Sequence, residues 1–209
     1  YNGEDIDLID GTGEVIFSVN YSDSDPWPVR ADGFGASLEL VDPAGVTIET
    51  QNKWYSWRGS SENGGSPGTA GAGPVGVVVN EVLANTDGPG NLTDSIELHN
   101  VTDAAIDISG WRLSDVGGSS AGLAKFNIPN GTLLPAGGYV VFDESDFNVD
   151  NPINGNTSFG LSGVSGDNVW LTKPDGSFVD DVHFRETISG ESLGRMPNGS
   201  GRLAPLNVP

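Results

Sequence analysis

The sequence contains no cysteine, which excludes a disulfide framework, a thiolate zinc site and a cysteine nucleophile together. Positive charge is also scarce: nine Lys and Arg stand against 29 Asp and Glu, for a net charge of −20. A surface of that sign repels nucleic-acid phosphates and anionic lipid, so neither is an expected partner. No run approaches the roughly 18 apolar residues of a membrane helix, so membrane insertion is not expected either. No signal peptide opens the chain; Tyr1-Asn2-Gly3-Glu4-Asp5 reads as the edge of a longer polypeptide, with any export signal outside it. Histidine is limited to His99 and His183. No His-x-x-x-His or His-x-Asp spacing accompanies them, which argues against a zinc centre.

What the chain does have is turn chemistry. Thirty-one Gly and 13 Pro lie between short apolar runs, many of them alternating, a pattern of many strands and few helices. Candidate strands are 6–9, 15–20, 37–41, 77–83, 95–100, 111–114, 125–128, 139–143, 168–173 and 177–184. Only the acidic stretch 144–148 invites a helical turn. Lys173-Pro174-Asp175-Gly176 predicts a hairpin, with Pro presetting φ and Gly taking the positive-φ position. Asp10-Gly11-Thr12-Gly13 does the same earlier.

Those two turns anchor an internal repeat. Leu8 to Tyr21 and Leu171 to Phe184 share one order of apolar and turn residues at an offset of 163, and Ser37-Leu38 answers to Ser192-Leu193. The organisation read from this is a partial domain copy over 1–70, a linker at 71–76 within a Gly/Ser/Pro-rich stretch, and a complete copy over 77–209. A half copy buries little by itself. Trp27, Trp54 and Trp57 fall in it and need a surface to cover or a ligand to meet.

The complete copy resembles the lamin-tail domain family. An apolar strand ends in Asn80-Glu81; Ile96-Glu97-Leu98 follows, then Gly110-Trp111, then Leu134-Pro135-Ala136-Gly137-Gly138-Tyr139-Val140-Val141-Phe142. Asp167-Asn168-Val169-Trp170-Leu171 matches a later strand, while Ser95 stands where members usually carry an aromatic residue. The resemblance implies an immunoglobulin-like β-sandwich, all-β, acting as an accessory or interaction module in exported bacterial proteins. It also implies an extracellular or cell-surface setting beside other domains of a parent polypeptide.

Several motifs invite chemistry. Gly190-Glu191-Ser192-Leu193-Gly194 matches the Gly-x-Ser-x-Gly elbow, which requires a strand before it and a helix after it; Arg195-Met196-Pro197-Asn198-Gly199 is a poor helix start. Glu81 and Glu97, with His99, are the carboxylates and base a hydrolase would draw on. The one cofactor the sequence suggests is Ca²⁺, in either of two acidic loops. One comprises Asp143, Glu144, Asp146 and Asp150; the other contains Asp87 and Asp94. Neither has the EF-hand register. The leading functional expectation is a non-catalytic adhesion, interaction or spacer module with a protein or glycan ligand. An accessory carbohydrate-binding domain, resting on Trp27, Trp54, Tyr55, Trp57 and Trp111, is the alternative, and a hydrolase follows.

Overall fold

The computed structural model describes residues 3–24, 27–62, 64–69, 71, 76–84, 92–117, 122–200 and 202–206. The chain divides into two compact units, Tyr1–Gly73 and Pro74–Pro209.

The first unit holds two hairpins. Strands β1 (Glu4–Ile9) and β2 (Val15–Tyr21) pair antiparallel, and β3 (Leu38–Leu40) pairs with β4 (Trp57–Gly59). Short 3-10 turns cover Val29–Ala31 and Trp54–Ser56. The register of the first hairpin sets Ile6 opposite Val19 and Leu8 opposite Phe17 on one face, and Asp5 opposite Asn20 and Asp7 opposite Ser18 on the other. Period-two alternation therefore makes one apolar face and one acidic, polar face.

The second unit is an antiparallel β-sandwich. It contains β5 (Val77–Leu83), β6 (Ser95–Asn100), β7 (Ile106–Asp107), β8 (Arg112–Ser114), β9 (Phe126–Asn127) and β10 (Leu133–Leu134). After these come β11 (Tyr139–Asp143), the helical turn α1 (Glu144–Phe147), β12 (Asp167–Thr172), β13 (Phe178–Phe184), β14 (Ser192–Met196) and β15 (Arg202–Leu206). One sheet has the order β11-β6-β5-β14-β15, the other β13-β12-β8-β9, and β7 and β10 form a small ribbon. Between the sheets lies a single core that includes Val79, Val82, Ile96, Leu98, Leu113, Val169, Leu171 and Phe184. The expected all-β, immunoglobulin-like sandwich is what the chain forms.

One polar device crosses that core. The ladder between β5 and β14 ends at Glu81 opposite Gly194, and a bulge follows in β5 between Val79 and Glu81. The Val79 amide donates to Asp180 Oδ2 at 2.7 Å, and Arg195 Nε donates to the Val79 carbonyl at 2.8 Å. Arg195 and Asp180 close the loop as an ion pair at 2.8 Å. Asp180 sits on β13 in the opposite sheet, so the clamp ties three strands and both layers. Burial pushes the Asp180 carboxyl up, against the downward pull of Arg195 and the Val79 amide.

Several strands escaped the sequence reading for local reasons. Pro205 in β15 looks like a breaker but lies on an edge strand, where its missing donor is tolerated. Gly194 interrupts the alternation of β14, and a Cβ there would strike Leu206. The strands β7 and β10 are two residues each, too short for any periodicity. In the first unit, β4 is only three residues and ends on Gly59.

Asp180→Ala is expected to lower the stability of the sandwich by about 3 kcal/mol in urea unfolding, because the largely buried Arg195 loses the Asp180 carboxylate and the Val79 amide loses its acceptor. A change under about 1 kcal/mol would show that the clamp is dispensable.

Candidate functional site

The candidate site is a groove in the first unit. Its walls are the apolar face of the β1–β2 hairpin (Ile6, Val19, Tyr21), the start of β3 (Ser37, Leu38) and Trp57 of β4; it encloses about 430 Å³. Glu4, Asp23 and Asp32 contribute carboxylates to its lining. Trp57 is fixed from behind by its indole N–H, which donates to the Gln51 carbonyl at 2.7 Å. Beneath it, buried Arg30 donates to the Ser60 carbonyl at 2.8 Å, and the Ser60 hydroxyl receives the Ser37 amide at 3.0 Å. These bonds hold the two edges of the groove without closing it.

Of the three tryptophans expected to bind, Trp57 lines the groove, and Trp27 packs on two lining rings without lining it itself. Trp27 packs 6.3 Å from Tyr21, edge to face, and 6.4 Å from Trp57. All three rings are half-buried, so an aromatic wall is available to a ligand. Trp54 is elsewhere, edge-on to exposed Tyr55 at 5.8 Å, and does not line the groove. Tyr21 was missed in the sequence, although its position two residues beyond Val19 puts it on the same face of β2. Its phenol donates to Glu4 at 3.4 Å, and burial together with the Glu4 charge pushes its pKa up.

The acidic loop after β11 is committed to backbone capping. Asp143 Oδ1 accepts from both the amide and the hydroxyl of Ser145, at 2.8 and 2.6 Å, and Asp146 Oδ2 accepts from the Asp143 amide at 3.2 Å. The two form a reciprocal capping pair on α1. Asp150 accepts from the Ser158 amide at 2.8 Å, and Glu144 opens the helical turn. Asp94 is buried and accepts from the Leu161 amide at 2.9 Å. Asp87 lies outside the described residues. Among the described residues no three acidic or histidine side chains gather where a cation would sit, so the structure does not unite the carboxylates that the sequence grouped as a Ca²⁺ loop.

The hydrolase candidates all belong to the second unit. Glu81 and Glu97 oppose each other across β5 and β6, and Asn80 Nδ2 donates to Glu97 Oε1 at 2.8 Å. His99 lies flat on Tyr139, with ring centroids 4.1 Å apart and planes within 13°. His183 Nδ1 meets Asn168 Oδ1 at 2.8 Å on the opposite sheet. Ser192 is fully buried at the start of β14, which continues to Met196 where the elbow requires a helix, so the apparent nucleophile elbow is a strand serine.

The Asp143 cap gives a pH test. The Ser145 hydroxyl and amide hold its carboxyl below the model-compound value of 3.8. A depressed folded-state pKa means the stabilisation is complete above 3.8 and is lost as pH falls through the lowered value. Asp143→Ala should lower stability by about 1 kcal/mol near neutrality, and the gap to the parent chain should narrow progressively in urea unfolding as pH falls below 3.8. A gap that does not narrow with falling pH would mean the carboxylate charge contributes nothing.

No curated protein and no solved structure matched the chain. A family model, the Lamin Tail Domain, matches residues 70–186, which covers β5 through β13 and more than half of the sequence. The chain belongs to the lamin tail domain family.

Proposed function

We propose that this chain is a non-catalytic, extracellular interaction module that docks a protein ligand in the groove of its first unit. The observation that carries this reading is the apolar face leading into the groove, where Ile6 is 54% and Leu8 58% exposed. Large aliphatic side chains in register on one sheet face form a contiguous patch of the kind that marks a protein contact. Tyr21 and Trp57, which line the groove and both pack against Trp27, supply rigid anchors beside it. On this reading the sandwich is a carrier that positions the groove within a bacterial surface or secreted polypeptide. The family assignment supports a binding or spacing role, and among the described residues no helix is long and apolar enough to cross a membrane.

The same aromatic wall, with Glu4, Asp23 and Asp32 nearby as acceptors for hydroxyls, favours a second reading as an accessory carbohydrate-binding domain of an exported enzyme. Arrays of immobilised extracellular proteins and of glycans, probed with the full chain and with Trp57→Ala, separate the two. Binding to protein spots that weakens at least tenfold in the variant is the expected result. Glycan binding alone favours the second reading, and silence on both arrays with millimolar ligand leaves a spacer as the better account.

A further inference from the structure

The two hairpins of the first unit reproduce two hairpins of the sandwich. At an offset of 163, β1 and β2 coincide with β12 and β13 end to end. The registers agree pair by pair, Ile6–Val19 answering to Val169–Val182 and Leu8–Phe17 to Leu171–Asp180. The bulge before Ile9 recurs before Thr172. Their turns share one hydrogen-bond pattern, with Gly13 at φ 89° and Gly176 at φ 84°. Even the entry glycines correspond: a Cβ on Gly3 would strike the Tyr21 carbonyl, and one on Gly166 the Phe184 carbonyl. The β3–β4 pair matches β14–β15 through Ser37-Leu38 and Ser192-Leu193.

The difference lies in what covers them. In the sandwich, β8 lies along the free edge of β12, with Leu113 opposite Leu171, and β5 lies along β14, with Val82 opposite Leu193. Among the described residues, β1 and β3 have no such neighbours. The consequence for the side chains is large. Val169 and Leu171 are fully buried, whereas their counterparts Ile6 and Leu8 are more than half exposed. The groove is therefore lined by Ile6, Val19 and Tyr21, whose counterparts Val169, Val182 and Phe184 all belong to the core. It occupies the place where the strands equivalent to β5 and β8 would complete a second sandwich.

We propose that the first unit is an acceptor half-sandwich whose partner is the amino-terminal half of a further lamin-tail repeat. A β5-like strand adds to the edge of β3 and a β8-like strand to the edge of β1. Main-chain bonds to those edges would give affinity, and alternate apolar side chains filling the groove would give specificity. This assignment rests on the reading of the groove as a protein-docking site and names its occupant.

The test uses the full chain, isotopically labelled, and a synthetic peptide of residues 76–84 with a short lysine tail for solubility. Saturable amide shifts at residues 37–40 and along β1 and β2 are expected, and Ile6→Asp should weaken binding at least tenfold. That variant changes an exposed side chain, so its fold is retained. Shifts confined to Ser192, Leu193 and Gly194 would mean exchange into the existing sandwich and would overturn the proposal. So would the absence of shifts at millimolar peptide, or a self-associated chain from which the peptide displaces nothing. If array binding is lost in Trp57→Ala but the peptide does not bind, the groove still docks protein and only this occupant is wrong. Failure of both removes both readings.

Discussion

The sandwich depends on how the bulge at Val79 is satisfied. A bulge leaves backbone groups outside the ladder, and buried amides and carbonyls without partners are costly. Here both main-chain groups of Val79 turn to one ion pair, the amide to Asp180 and the carbonyl to Arg195. The next residue is equally engaged: the Asn80 side chain donates to Glu97 and accepts the Gly199 amide at 3.0 Å. Two buried charges are a poor source of net stability by themselves. Their role is geometric. They seat β5 between β6 and β14 and fix its height against β13 in the other sheet, so that Val77, Val79 and Val82 all point into the core.

The first unit solves the corresponding position differently. Its repeat partner for Asp180 is Phe17, and for Arg195 it is Leu40, so an apolar pair stands where the sandwich keeps an ion pair. Among the described residues no β5-like backbone lies beside it, so a carboxylate there finds no such amide to accept from. An apolar face needs no particular partner atom, only coverage. The first unit thus carries the hairpin register of a complete domain without the internal polar clamp, which is the state expected of a surface that binds a strand rather than one that encloses it.

Much of this was legible in the residues, and what was not follows from physical causes. Alternation bounded by turn residues set β5, β6 and β11 at their observed limits, and the acidic run after β11 announced α1 because Asp143 and Asp146 are natural cap residues. The hairpin offset of 163 was visible because turn glycines and apolar alternation are local signals. The clamp was not visible: Asp180 and Arg195 are 15 residues apart, and no local spacing marks two such charges as partners. Asp94 was read as a loop carboxylate for the same reason, since its partner Leu161 lies 67 residues away. Sequence placed Trp54 beside Trp57 as one aromatic group. The intervening 3-10 turn separates them, and Tyr21 takes the vacant place through β2.

Energetics decide what kind of occupant the groove can hold. Covering Ile6 and Leu8 would contribute about 1.5–3 kcal/mol each at full burial, and less for side chains already about half covered. Association itself costs at least about 4 kcal/mol in lost translational and rotational freedom. Two aliphatic side chains therefore do not suffice, and a ligand that only touches them would bind weakly. A strand that also bonds the main-chain edge of β3 adds several hydrogen bonds of about 1 kcal/mol each and brings its own alternating apolar side chains against Val19, Tyr21 and Trp57. The same hairpin in the sandwich reaches complete burial of Val169 and Leu171 with β8 along the edge of β12 and the other sheet packed on its face. The geometry that makes the groove attractive thus selects a partner with extended backbone over a compact ligand held by side-chain contacts alone.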